Sequence, residues 1–214
     1  MRKKIIKIIK KEMTCNSHSI EHISRVYNLC MEIAKSEKNV DYEVLEIAAL
    51  LHDIGREKEN KDTTGVVDHA IEGAKMAQDI LAKLNFSKIN EVQHCILAHR
   101  KRTDVIPQTI EAKILFDADK IDCLGAVGIA RNFMFAGQHG QKLTMDYQIP
   151  QKIYVNDVSK HNPILEYDIA LKHISKHLYT KTGRKIAAER QKFLNLYFEK
   201  LKKELTLSKD ITKI

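Results

Sequence analysis

The chain has 214 residues, 43% of them hydrophobic, and a formal charge of +8; it is long enough for one domain with a sizeable core and too apolar for a disordered segment. Eight glycines and three prolines are too few for a turn-rich sheet protein and point to helices. The cysteines Cys15, Cys30, Cys95 and Cys123 form no C-x-x-C pair and lack the spacing of a disulfide framework or a structural zinc site, so reduced thiols in a cytoplasmic protein are expected.

The opening MRKKIIKIIKKEM is too short and too charged for a signal-peptide core, and no run reaches the ~18 apolar residues of a membrane span. Part of the basic charge lies in the first eleven positions and more between Lys172 and Lys203, at the ends of the chain rather than in a central groove. With no Trp and no alternation of aromatic and basic residues, neither nucleic acid nor membrane is an expected partner. A lysine-rich soluble surface and small anionic substrates both fit the charge.

Ser19 is placed to cap a first helix in which His22, Val26, Leu29 and Ile33 share one face, so His22 continues an apolar stripe. Asp41 is placed to cap a second helix through Val44, Ala48 and Leu51, with Gly55 as its stop and the pair His52-Asp53 in its last turn. A third helix covers VVDHAIEGAKMAQDILAKL, with Val66, Ala70, Ala74, Ala77 and Leu81 near one stripe; Gly73 in its interior suggests close approach by another helix. Ile89, Val92 and Ile96 form the buried face of a fourth helix, which ends at His99 before Arg100, Lys101 and Arg102. The longest apolar segment, Ile110 to Gly137, reads as a central helix interrupted by Asp117, Asp119 and Asp122, with Asp119 close to its buried stripe. Residues from Gln138 to Pro163 lack periodicity and are left as loop or a short strand pair. Helical pattern resumes to about residue 207, as two helices around Thr182-Gly183.

His22, His52, Asp53 and Asp119 therefore stand on apolar helices at or near buried faces. Burying a carboxylate is costly unless it is paired or binds a metal. Imidazole and carboxylate together are the ligand types of Zn, Fe, Mn, Co and Ni sites. Two nitrogens and two oxygens leave coordination positions open for water, which favours catalysis over a closed structural site.

The segments SHSIEHISRV, LLHDIGR, EAKILFDADKIDCLGAVGIAR and TKTGRKIAAER, in this order, resemble those of the HD-domain superfamily of metal-dependent phosphohydrolases, and within it the small prokaryotic predicted HD hydrolases. The resemblance runs from about Ser17 to Arg190. It implies an all-α HD-domain helical bundle with additional C-terminal helices: a single domain over 1–214, with a core at about 15–137, an irregular segment at about 138–162 and a C-terminal helical extension at 163–207. It carries the metal ligands to His22, His52, Asp53 and Asp119; Asp119, not Asp117, directly precedes the basic Lys120. The cofactor implied is a divalent ion: Mn, Fe, Co, Ni, Zn or Mg.

The implied activity is hydrolysis of a phosphate ester or anhydride of a small phosphorylated metabolite, a nucleotide foremost. Asp53 would orient the attacking water, and Arg56 and Lys120 would clamp the phosphate. His69, His94 and His99 resemble the extra histidines of a two-metal branch, whose paired His-His and G-Y-P triplet are missing here. One ion is expected, with these histidines behind the ligands or facing substrate, and a second ion is the alternative. His18 either supplies a leaving-group proton or caps its helix. Arg56 stands where some HD nucleotidases carry Glu, which argues against a 5'-nucleotidase of that type. The alternatives are a regulatory metal- and nucleotide-binding module without turnover, and a di-iron oxygenase. The amphipathic tail would suit a homodimer.

Overall fold

A computed structural model describes residues 1–12, 20–100, 105–143 and 161–207. They belong to two compact units, Met1–Asp122 with Leu178–Arg184, and Cys123–His177 with Lys185–Ile214. The all-α expectation holds: the described residues contain helices and turns and no strand. None of these helices is long and apolar enough to cross a membrane.

The first unit contains α1 (Arg2–Glu12), α2 (Ile20–Ala34), α3 (Tyr42–Leu51), α4 (Arg56–Lys61), α5 (His69–Lys83), α6 (Ile89–Ala98) and α7 (Ile110–Asp122). Helix α3 packs on α2, α6 and α7, α2 also packs on α7, and α5 lies along α6. Val26, Ile33, Leu45, Leu51, Ile96, Ile114, Leu115 and Ile121 fill the space between them. The lysine-broken isoleucines at the start form an amphipathic helix: Ile5 and Ile9, one turn apart, are buried, and α1 packs on α3.

Local chemistry sets the boundaries. Asp41 caps α3, accepting from the backbone nitrogens of Glu43 and Val44. Asp68 caps α5 through Ala70 and Ile71, so this helix begins at His69 and Val66, expected on its buried stripe, is 82% exposed before it. Gly55 is not the left-handed stop expected after α3, since its φ is −83°. It is glycine because a Cβ there would lie 2.4 Å from the carbonyl oxygen of His69 and 2.6 Å from the nitrogen of Gly73. The close approach expected at Gly73 is therefore made by the turn that follows His52-Asp53.

The central helix expected from Ile110 to Gly137 breaks after Asp122. Leu124 is extended and Gly125 adopts a φ of +69°, a region that favours glycine. In the tail, Thr182-Gly183 lies within the first turn of a helix rather than between two. The boundary is at Thr180, whose hydroxyl accepts from the nitrogen of Gly183 while its own N–H and O–H donate to Asp117. The second unit contains α8 (Gly125–Gln138), α9 (Pro163–Ile169), a 3-10 turn over Leu171–His177 and most of α10 (Lys181–Leu207). Its core stacks Tyr167 on Phe198, with ring centroids 4.3 Å apart. Ser19 and most of the segment expected to be irregular lie outside the described residues.

Candidate metal centre

Helix ends aim the histidines. The last carbonyls of a helix lack intrahelical partners, and His52, closing α3, donates its Nδ1–H to the carbonyl of Ala49 at 2.9 Å. His99 repeats the device at the end of α6, bonding the carbonyl of Ile96. A carbonyl only accepts, so both rings donate from Nδ1 and turn Nε2 into the space between the helices. His22, on α2, donates Nδ1–H to Asp122 Oδ2 at 2.8 Å, and Arg25 pairs with both oxygens of the same carboxylate at 2.8 and 3.1 Å. His69, the first residue of α5, donates Nδ1–H to Glu59 at 2.8 Å.

Asp53 stands between two groups of donors. Its Oδ2 lies 3.5 Å from His22 Nε2 and 3.8 Å from His52 Nε2. Its Oδ1 lies 3.3 Å from His69 Nε2 and 3.7 Å from His99 Nε2. Asp119 Oδ1 joins the first group, 3.5 Å from His22 Nε2. Within each group the two imidazole nitrogens face each other across 3.2 Å. Neighbouring donors ~2.1 Å from a common ion stand ~3.0–3.4 Å apart at tetrahedral or octahedral angles. Both His22/His52/Asp119 and Asp53/His69/His99 are thus spaced to hold a metal ion.

Electrostatics favours the ligand states. Burial pushes the His52 and His69 imidazoles down to about 4, so at neutral pH both are uncharged and available as donors. Burial by itself would raise Asp53, but the Arg56 guanidinium, with His52 and His69, holds its carboxyl well below the usual range. Asp119 is likewise held low against burial, chiefly by Lys120. Imidazole nitrogens facing one another beside two carboxylates make a cage that suits a cation, and the donor set fits the divalent ion expected from the sequence.

The remaining candidates are placed as follows. Lys120 pairs with Asp119 Oδ2 at 2.8 Å and lies over the Phe116 ring. Arg56 turns inward: Nη1 meets Glu59 at 2.6 Å, and Nη2 meets Asp53 Oδ1 at 3.1 Å and His69 Nε2 at 2.8 Å. His94 is in neither cluster; it accepts from the backbone nitrogen of Gln108. His18 lies outside the described residues. Asp117 faces away from the ligands, accepting from the nitrogens of Tyr179 and Thr180. Four residues that orient these histidines were not singled out for it from the sequence: Asp122 and Arg25 behind His22, and Glu59, itself held by Arg100, behind His69. Only Asp122, three residues after Asp119 near the same stripe, gave a readable signal.

A family model for the HD domain matches residues 19–124, which include every residue of the two clusters. YpgQ of Bacillus subtilis is 32% identical over 196 residues, covering 89% of this chain and 85% of YpgQ. The crystal structure of YpgQ in complex with ADP superposes with a TM-score of 0.70 at 29% identity, covering 94% of this chain and 97% of that one. A predicted HD superfamily hydrolase from an uncultured Thermotogales bacterium superposes with a TM-score of 0.63 at 30% identity, covering 95% and 92% of the two chains. An HD-superfamily hydrolase from Bacillus thuringiensis does so at 0.64 and 25%, covering 97% and 99%. With a relative this similar along most of both chains, and the histidines and aspartates of the motif gathered around one point, the chain belongs to the HD domain family.

Proposed function

We propose that the protein is a metal-dependent phosphohydrolase that cleaves a phosphate ester or anhydride of a small metabolite, a nucleotide foremost. Its ligands are His22, His52, Asp53 and Asp119, holding one divalent ion. The observation that carries the proposal is the meeting of the His22 and His52 Nε2 atoms, 3.2 Å apart, with one oxygen each of Asp53 and Asp119 3.5 Å from His22. The ADP complex of YpgQ supports a nucleotide as the ligand class.

A divalent ion so held supplies Lewis-acid chemistry, making water more acidic and drawing charge from a phosphoryl oxygen. The surrounding side chains do the rest. Asp53 is fixed by Arg56 through Oδ1, which leaves Oδ2 to direct a water toward phosphorus. Lys120, 22% exposed beside Asp119, is placed to meet a second phosphoryl oxygen and offset the charge that builds in attack. Water oxygen bonds to phosphorus, the bond from phosphorus to the leaving oxygen breaks, and one water proton is carried to that oxygen.

The test is a phosphate- and pyrophosphate-release screen over divalent metals and phosphorylated metabolites, nucleoside di- and triphosphates first, run beside Asp53→Ala. Release that depends on metal and is lost in the variant is expected. No turnover with any metal, or a variant as active as the wild type, would remove the proposal.

A further inference from the structure

Asp53, His69 and His99 offer three donor atoms as well spaced for an ion as the first group, yet a cation of the chain's own is already there. Arg56 Nη2 lies 2.8 Å from His69 Nε2 and 3.1 Å from Asp53 Oδ1. A guanidinium carries donors and no acceptor. It must therefore donate to His69 Nε2, which uses the lone pair that a metal would take, while His69 Nδ1 is committed to Glu59. An ion bound to His69 Nε2 at ~2.1 Å would overlap Nη2 and meet its positive charge.

Arg56 is not readily moved aside. Its other terminal nitrogen is anchored on Glu59 at 2.6 Å, and Glu59 is gripped in turn by His69 and Arg100. The backbone beside it is wedged: Gly55 sits so close to α5 that even a Cβ would strike the His69 carbonyl. Arg56 is 17% exposed, and its buried Nε has no hydrogen-bond partner among the described residues, a cost the chain bears while keeping the guanidinium in place.

Resting on the single-ion assignment above, we propose that Arg56 is an internal cation that fills the second metal position, so that the chain takes one divalent ion where its donors would otherwise hold two. Asp53 is then shared between an ion on Oδ2 and a guanidinium on Oδ1. Replacing Arg56 by a neutral side chain of similar length frees the His69 lone pair and Oδ1 together, and opens the position to a second ion bridged to the first through Asp53.

The full chain is stripped with chelator, loaded with Mn²⁺ and desalted; metal per chain is measured by elemental analysis and the spin state by electron paramagnetic resonance. Wild type should retain one ion with the spectrum of an isolated Mn²⁺. Arg56→Gln and Arg56→Met, checked for helical content, should retain two, magnetically coupled, and His99→Ala in the Arg56→Gln background should return the count to one. Two coupled ions in the wild type overturn the inference without requiring any variant to fold, as does a single ion in both helical Arg56 variants. No ion in the wild type overturns the metal assignment itself and this inference with it.

Discussion

His22 Nε2 and His52 Nε2 stand 3.2 Å apart, both turned inward because Asp122 takes the Nδ1–H of one ring and the Ala49 carbonyl that of the other. Packing of α2 on α3 enforces this meeting of two imidazole nitrogens beside the carboxylates of Asp53 and Asp119, a donor set that suits a divalent cation. Divalent metal should therefore stabilise the native state. At ~100 times the dissociation constant the gain is about 2.7 kcal/mol, a rise of roughly 5–10 °C in Tm for a chain of this size. Calorimetric melts in chelator and in excess Mn²⁺, Zn²⁺ or Mg²⁺ measure it. Identical melts with every metal would contradict the assignment.

The same rings set a pH dependence in chelator. His52 and His69 titrate at about 4 in the folded state because of burial, and near 6.5 when unfolded. Below 6.5 the unfolded chain takes up protons that the folded chain refuses, so the stability they contribute is complete above pH 6.5 and is lost as pH falls toward 4. Each ring accounts for up to about 3 kcal/mol over that window. Asp53 and Asp119, held well below the usual range, add their loss only at lower pH. Urea unfolding from pH 7 to 4.5 should show the decline, and His52→Gln should roughly halve it.

Asp122→Asn should weaken metal binding while leaving the helices formed. Asp122 touches no substrate in the proposed reaction; it fixes the His22 tautomer and is itself charged by Arg25. Loss of such a carboxylate behind a ligating histidine typically costs 10–100-fold in metal affinity. Titration with a competing chelator reads that change directly, and an unaltered affinity would confine Asp122 to packing.

Glycine substitutions separate close approach from helix propensity. Gly55→Ala puts a methyl 2.4 Å from a backbone oxygen, and should cost about 1–3 kcal/mol while disturbing the turn that carries Asp53. Gly137, inside α8 with open space at its Cβ position, should behave oppositely, with Gly137→Ala gaining about 0.5–1 kcal/mol. Denaturant midpoints of the two variants decide both signs.

The gathering of His22, His52, Asp53 and Asp119 was legible because polar residues on apolar stripes are too costly to bury without a partner. What holds them was less so. Glu59 belongs to the run REKENK, which reads as a solvated charged face, and becomes part of the centre only because the turn at Gly55 brings α4 onto α5. The same turn swings Arg56 inward from the mouth where the sequence suggested a phosphate clamp. The end of α7 was hidden because apolar periodicity continues past Asp122, and a break there depends on Gly125 entering the left-handed region, which no local pattern announces. Val66 was misread for the converse reason, since the cap at Asp68 overrides the apolar spacing before it.

The two aspartates of DAD should separate cleanly. Asp117 is fully buried and receives the nitrogens of Tyr179 and Thr180 at 2.9 and 2.7 Å and the Thr180 hydroxyl at 2.7 Å, fastening Leu178–Arg184 to the first unit. Burial raises its pKa, the reverse of the shift at Asp119. Asp117→Ala leaves two backbone N–H groups without their acceptor, so a loss of about 2–4 kcal/mol is expected, with metal per chain unchanged in the folded fraction. Asp119→Ala removes a ligand from a less enclosed position, 14% exposed. It should shift stability in chelator by no more than about 1 kcal/mol while abolishing the metal-dependent rise in Tm. Paired melts with and without Mn²⁺ test both, and a metal-induced rise that survives in Asp119→Ala would return the ligand role to another residue.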